Sequence, residues 1–544
     1  MKISNILVLL GSIYILSSCN DKYLDLAPED KISDQNFWKT ASDLELYANQ
    51  FYIDLSRANG YLWTQERFTD NQGYKTRDAY LWGESTIPSS GGGWGKSDWL
   101  KIRNVNYALA RIAKMEKVPD ISRCEGEIRF FKSYYYFDKL VTFGEVPWLD
   151  KDLNIDDSLL YKGRDSRETV VSNMVSDLDF AIEHLPEVSA SGRLTKYAAL
   201  AFKVNVCLFE GTFRKYHNLG GNYEALIKQA ADAAETIINS GLFSLYSTGD
   251  PNEDYYNLFV QYDYTSNPEA IMFVKYIKDV FMQNEVRYLG ETTSGYTKDF
   301  VESYLCTDGL PISLSPLYKG DKIFEEEFAN RDPRMRQSIH TAERKYRIYP
   351  DGSFDLKIPP QFDGTKCWTG YEMIKRYSNL EADRISRQST LDQFIFRYGK
   401  VLIDYAEAKA ELGECTQEVL DKSLNLLRDR VGMPHLKADV GFVDPNWPNW
   451  EVPVSPLINE IRRERRIEIA TEGYDRWYDI LRWKAGKLLE NEKTQLGAYD
   501  PKTGSYHQTW PGFIREWEDK LYLHPIPTQE LTLNPNLTQN PGWE

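Results

Sequence analysis

The sequence predicts a mainly α-helical protein, a scaffold of helical pairs that carries a loop-rich mixed subdomain. Three observations lead there. Apolar residues recur at helical spacing in residues 99–115, 124–140, 166–185, 195–209, 223–239, 393–412, 416–430 and 457–470. Small residues sit at helical spacing where two helices would touch: Ala198, Ala199 and Ala201 opposite Ala230, Ala233 and Ala234, and again Ala406, Ala408 and Ala410. Between these pairs, residues 241–392 are rich in Pro and Gly and hold only short patterns.

The chain begins with Met1-Lys2, an apolar run from Ile6 to Leu16, and then Leu16-Ser17-Ser18-Cys19. The run is too short for a membrane span and has the form of an export signal. Small residues just before a cysteine predict a lipoprotein signal over residues 1–18, with lipid added to the Cys19 thiol. An ordinary signal peptide with a chance cysteine is the alternative. No later segment is long and apolar enough to span a bilayer.

An N-terminal helical scaffold is predicted over residues 19–240. A helix starts near Ala41, and an irregular excursion at residues 59–98 holds Tyr61, Trp63, Tyr74, Tyr80, Trp82 and Trp94 among glycines. The pairs 195–209/223–239 and 393–412/416–430 resemble divergent tetratricopeptide units, about 150 residues apart. The loop-rich subdomain 241–392 includes Ala270 to Tyr276, which alternates like a strand. A C-terminal scaffold and extended tail follow over 393–544. There the helix 457–470 carries Glu460, Arg462, Arg463, Glu464, Arg465, Arg466 and Glu468, some expected in solvent and some paired across helices. The prolines in Tyr522-Leu523-His524-Pro525-Ile526-Pro527 disfavour helix.

The net charge of -16 argues against a nucleic-acid partner. Five cysteines would follow Cys19, widely spaced and without CxxC or zinc spacing. Cys124 and Cys207 read as buried small hydrophobes, and a Cys306–Cys367 bridge is open. No HExxH, GxSxG or phosphate loop is present. Gly91-Gly92-Gly93-Trp94-Gly95-Lys96 is glycine-rich but has no convincing strand before it. The six histidines show no i, i+4 pair, so histidine-based metal catalysis is not expected, and any bound metal stays unknown. Carboxylates Asp70, Asp78, Glu84 and Asp98 lie in the aromatic loop, where a glycosidase would need two across a sugar.

Six segments in order resemble the SusD/RagB family of outer-membrane nutrient-binding lipoproteins of Bacteroidetes. They are Cys19 with Tyr23-Leu24-Asp25 and Pro28-Glu29-Asp30, Glu127 to Phe137 with Phe143-Gly144-Glu145-Val146-Pro147, and the helix from Ala198 to Phe209. Tyr304 with Cys306 to Pro311 and Asn330 to Arg334 follow, then Leu402 to Glu411, and Ile461 to Trp483 with Tyr522 to Pro527. The resemblance implies a tetratricopeptide-like, SusD-like fold and cell-surface capture of oligosaccharides. It also implies a lid partnership with a SusC-like TonB-dependent transporter, a lipid anchor in the outer membrane, no catalysis and no cofactor. A peptide- or other-nutrient-binding member of the same scaffold, a surface glycoside hydrolase and a purely structural lid are the alternatives.

Aromatic platforms are expected from the first loop, Trp63, Tyr74, Trp82 and Trp94, and from the central part, Tyr288, Tyr296, Trp368 and Tyr371. Asp70, Asn71, Gln72 and Arg77 are the neighbouring polar candidates. A pyranose presents an apolar C–H face that lies flat on Trp or Tyr, while amides and carboxylates read its hydroxyls. Trp94, set among four glycines, is the leading platform candidate. Trp99 and Trp148 are expected to be structural.

Overall fold

Helix starts follow local chemistry. The hydroxyl of Ser166 accepts from Thr169 N, that of Thr195 from Ala198 N and that of Ser455 from Ile458 N, and Pro119 and Pro456 stand in first turns. A computed structural model describes residues 37–55, 62–189, 192–362 and 364–544. The export segment, Cys19 and residues 59–61 lie outside the described residues, as does the side chain of Trp63.

Among the described residues the helices of eight or more residues are α1 Ala41–Leu55, α2 Lys96–Ile112, α3 Pro119–Phe143, α4 Arg167–His184, α5 Lys196–Tyr216, α6 Tyr223–Asn239, α7 Tyr398–Glu411, α8 Pro456–Glu468 and α9 Asp475–Arg482. Among the described residues eight short strands form four antiparallel pairs. They are β1 Gln72–Gly73 with β3 Gly295–Tyr296, β2 Ala270–Val274 with β6 Gln393–Arg397, β4 Arg347–Ile348 with β5 Phe354–Asp355, and β7 Leu496–Asp500 with β8 Ser505–Gln508. The fold is mainly α-helical, with tetratricopeptide-like helix pairs and a loop-rich mixed part. None of the described helices is long and apolar enough to cross a membrane.

Helices α3 to α6 pack each on the next, and α7 closes against α6. The α5–α6 approach is close because a Cβ at Gly211 would stand 2.6 Å from Ile227 Cγ1 and 3.1 Å from Tyr223 O. One apolar core runs from Leu44 in α1 to Trp543 at the tail, and a second lies under the central part around Phe300, Tyr304, Met335 and Tyr371.

Two expectations change, and one open point is settled. Residues 393–397 are a strand, since the alternation Gln393-Phe394-Ile395-Phe396-Arg397 finds a partner in β2. The helix expected at 416–430 breaks into Gln417–Asp421 and Leu424–Arg430, where the Ser423 hydroxyl bonds Val419 O at 2.5 Å. The cysteines Cys306 and Cys367 are both free, like Cys124, Cys207 and Cys415.

The largest departure is α8. Its charges are not solvated: Glu460, Arg462, Glu464, Arg465, Arg466 and Glu468 are all buried. The Glu468 carboxylate meets Arg334 at 3.0 Å, Arg397 at 2.9 Å and Arg430 at 2.7 Å. Arg465 joins Asp479 at 2.9 Å and also Asp404, and Glu464 joins Arg334 at 2.6 Å and Arg428 at 2.8 Å. Burial opposes ionisation of Glu468, but Arg430, Arg397 and Arg334 outweigh it and hold the carboxyl well below the usual range.

Removing one member of a buried pair leaves a charge without compensation, at a cost of about 3–5 kcal/mol. Glu468→Gln is therefore expected to lower stability by about that much, read as a shifted denaturant midpoint at unchanged slope. A shift under about 1 kcal/mol, the level of a surface pair, would contradict the arrangement.

Candidate functional site

The first loop is tied down before it reaches the surface. After the 3₁₀ turn Leu62–Phe68, residues 69–73 run through the interior. Arg476 grips Asp70 with two hydrogen bonds at 2.8 and 2.6 Å, and Arg466 adds a contact at 3.0 Å. Burial works against the Asp70 charge, yet these two guanidinium groups hold its carboxyl well below the ordinary range. Asn71 donates to Glu66 at 3.0 Å and accepts from Arg466 at 2.7 Å. Asp70 and Asn71, expected to read sugar hydroxyls, are instead buried fasteners, because α8 and α9 supply arginines that need partners.

The β1–β3 ladder then lays the loop against the central part, with Gln72 opposite Tyr296 and Gly73 opposite Gly295. Thr297 Oγ1 donates to Asp70 O at 2.6 Å. Gly295 has no room for a side chain, since a Cβ would lie 2.2 Å from Thr369 Oγ1. Backbone bonds extend the seam: Tyr296 N to Tyr371 O at 3.0 Å, Trp368 N to Thr293 O at 2.9 Å, and Ala498 N to Thr369 O at 2.8 Å. Four chain segments, 67–83, 292–296, 362–371 and 496–515, meet there.

On this seam sits a partly open aromatic surface, with Tyr74 and Trp510 buried beneath it. Trp82 meets Trp510 edge-on at 4.8 Å, and Tyr74 meets Trp510 at 6.4 Å. Trp368, its indole N–H donating to Thr509 O at 2.9 Å, meets the His507 ring at 4.7 Å, and His507 stacks on Phe362. Phe513 is 49% exposed. Cations lie over the rings: Arg67 over Tyr74 at 4.9 Å, Lys75 over Trp368 at 5.7 Å and Arg77 over Phe513 at 3.8 Å. Behind them Arg515 is buried against Trp510 at 4.6 Å, and burial pulls its pKa down to about 10.

Of the expected residues, Tyr74, Arg77, Trp82 and Trp368 are brought together. Tyr288 is 42% exposed on the turn Glu285–Leu289. Gln72 is buried in β1. Tyr296 is buried on Phe300 at 4.4 Å, and the buried Tyr371 hydroxyl donates to Glu327 at 2.9 Å, so neither offers a free ring face.

Trp94 is only 4% exposed and packs on Phe143 at 4.9 Å and Trp99 at 5.4 Å. Its glycines do not present it. Gly91, Gly92 and Gly93 adopt positive φ and fold the turn back onto the core, where Lys139 donates to Gly93 O at 2.7 Å. Trp148 is buried against Tyr136.

The loop carboxylates are engaged locally. Asp78 caps the turn Ala79–Trp82, Glu84 pairs with Arg77 at 2.9 Å and Asp98 accepts from Gly95 N at 2.9 Å. Among the described residues no group of His, Cys, Asp and Glu is arranged to hold a metal ion. Sequence reasoning passes over Phe362, His507, Trp510 and Phe513. The aromatic density of Tyr506, His507, Trp510 and Phe513, set around Gly504 and Gly512, is the signal that could have found three of them.

A family model described as the SusD family matches residues 239–543, more than half of the chain. The chain belongs to the SusD family. A second model, described as starch-binding and associating with the outer membrane, matches residues 22–208. SusD-family proteins are outer-membrane nutrient-binding proteins of Bacteroidetes and bind without catalysis.

SusD-like protein P38 of Formosa agariphila is 26% identical, with 88% of this chain and 91% of that protein aligned. A SusD-like protein of Bacteroides ovatus is 22% identical over 99% of this chain and 98% of its own length. Among solved structures, a SusD-like protein of Bacteroides fragilis superposes with a TM-score of 0.74 at 25% identity, covering 95% of this chain and all of that one. A further structure, described as being with xylogluco-oligosaccharide, superposes with a TM-score of 0.62 at 19% identity, covering 91% and 97%.

Glu66 anchors the site from below, accepting from Asn71 Nδ2 and from Thr471 N at 2.6 Å. Burial pushes its pKa up to about 7. Between pH 4.5 and 7 the unfolded chain ionises this group while the folded chain keeps it protonated, so its contribution to stability falls as pH rises and levels off above 7. The buried His217 and His524, lowered by burial to about 4, act in the opposite sense over pH 4 to 6.5. The difference between Glu66→Gln and the parent isolates the carboxyl. It is expected to move in favour of the variant by about 1–3 kcal/mol from pH 5 to 7.5, measured in paired urea melts. A difference that stays constant with pH would refute the assignment.

Proposed function

We propose that this SusD-family protein captures oligosaccharides at the cell surface on the aromatic surface built from Tyr74, Trp82, Phe362, Trp368 and Phe513, and passes them to a SusC-like TonB-dependent transporter. The observation that carries this reading is the gathering of rings from three distant chain segments onto one backbone seam, with Phe513 half-exposed and Trp82, Phe362 and Trp368 partly open. Rings left partly open on a rigid support suit the C–H face of a sugar. Each Å² of apolar area they cover is worth about 25 cal/mol. Arg67, Lys75 and Arg77 stand beside the rings as donors to hydroxyl oxygens. The SusD-like relatives and the xylogluco-oligosaccharide named for a structural neighbour support a glycan as the ligand class. The export signal and Cys19 support a lipid anchor in the outer membrane, facing outward.

Calorimetric titration of the mature chain against a panel of neutral and acidic oligosaccharides tests the site. One glycan class is expected to bind saturably. Phe513→Ala and Trp368→Ala are each expected to weaken it about tenfold or more, a loss of roughly 1.4 kcal/mol, while Trp94→Ala lowers the melting temperature through its core contacts. Heat with peptides and none with sugars would overturn the glycan reading. Growth with radiolabelled palmitate tests the anchor: the label is expected on the parent chain and absent from Cys19→Ala, and label that persists in the variant would disprove it.

A further inference from the structure

A cavity of about 350 Å³ opens between α8, the loop 444–450 and the segment 488–493. None of Tyr74, Trp82, Phe362, Trp368 or Phe513 lines it. We propose that this cavity is a second binding site, for a single neutral sugar unit or the end of a neutral glycan.

The cavity is built, not a gap left by loose packing. Asp444 fixes the loop by accepting from Ser313 Oγ at 2.6 Å and from Arg463 at 2.5 Å. The indole N–H of Trp447 donates to Glu460 at 2.7 Å, and that of Trp450 to Asn459 at 2.6 Å. Both rings belong to the repeated run Pro-Asn-Trp at residues 445–450. Their polar edges are therefore held by α8.

Apart from Arg462, whose carboxylate partner Glu411 lies behind the lining, the charges in the lining are matched among themselves. Asp70 holds Arg466 and Arg476, Asp299 holds Arg466 at 2.8 Å, Glu302 holds Lys493 at 2.5 Å and Asp444 holds Arg463. An ion entering would find no unmatched counter-charge of its own to drive it in. Hydrogen-bonding capacity, in contrast, is left over. Arg462 is 2% exposed, lies flat between Trp450 at 4.6 Å and Trp483 at 4.2 Å, and touches a carboxylate only at 3.4 Å, through Glu411. Its Nε and Nη1 have no hydrogen-bond partner, and neither has Arg463 Nε.

At the mouth the exposed Asn446 and Asn449 add two amides whose side chains make no hydrogen bond among the described residues. Free amides and Trp rings around a volume at the low end of the ligand-pocket range, about 300–1,000 Å³, fit a hydroxyl-rich neutral ring. They do not fit a polymer chain or a metal.

Saturation-transfer NMR of the mature chain with methyl β-galactoside, methyl α-glucoside, methyl α-mannoside and N-acetylglucosamine tests this. At least one probe is expected to give a saturable signal that Asn449→Trp, which fills the mouth from an exposed position, weakens about tenfold or more. Phe513→Ala should leave that signal in place. Because Phe513→Ala reads the aromatic surface separately, loss of glycan binding there does not bear on the cavity. A signal that survives Asn449→Trp, or one lost only in Phe513→Ala, would overturn the second site. So would the absence of signal from all four probes at tens of millimolar. Should Asn449→Trp fail to fold, crystals of the parent soaked in the same probes decide: sugar density in the cavity supports the site, and water alone there refutes it.

Discussion

The carboxylate of Glu468 is the point on which the architecture converges. Three arginines reach it from three separate parts of the chain: Arg334 from the central part, Arg397 from the end of β6 and Arg430 from the helical turn beyond α7. A charge buried this deeply persists only when its partners are all in place. The helix that carries it must therefore be surrounded on several sides at once. The same helix supplies Arg466 to Asp70, which sets the path of the first loop, and Arg462 and Arg463 to the loop 444–450. The scaffold, the aromatic surface and the cavity all hang from one charged helix.

Much of the scaffold is legible in the sequence because helical periodicity and capping are local properties. The run from Tyr223 to Asn239 is read to the residue from its alanine spacing, and the structure adds the Asn222 side chain as its cap. What is not legible is long-range pairing. Charge at Arg462 to Glu468 reads locally as part solvated and part paired across helices, and only partners such as Arg334 and Asp404, far away in sequence, show that nearly all of it is paired inside. Strand β6 is hidden for a related reason: five residues of alternating pattern run straight into α7, and the β2 partner that separates the two lies more than a hundred residues earlier.

The candidate site follows the same division. Tyr74, Trp82 and Trp368 are found by counting aromatics in irregular segments, whereas Trp94 is misjudged by that count because glycines next to a ring serve equally to expose it or to fold it inward. Nothing local distinguishes the two. Phe513 comes from the tail, which reaches the surface only because β7 pairs along Thr369. A surface assembled by backbone seams tolerates exchange of its side chains, since the hydrogen bonds that align the segments belong to the main chain.

The arrangement of charge has a consequence beyond folding. Because interior arginines and carboxylates pair with one another, the acidic excess behind the net charge of -16 lies in groups outside those pairs. Copies crowded side by side on one membrane would then repel at separations of roughly a Debye length, about 8 Å at physiological ionic strength. The protein's inner salt lattice and its acidic excess serve different ends: the pairs hold the fold, and the unpaired carboxylates keep neighbours apart while leaving an uncharged ligand unaffected.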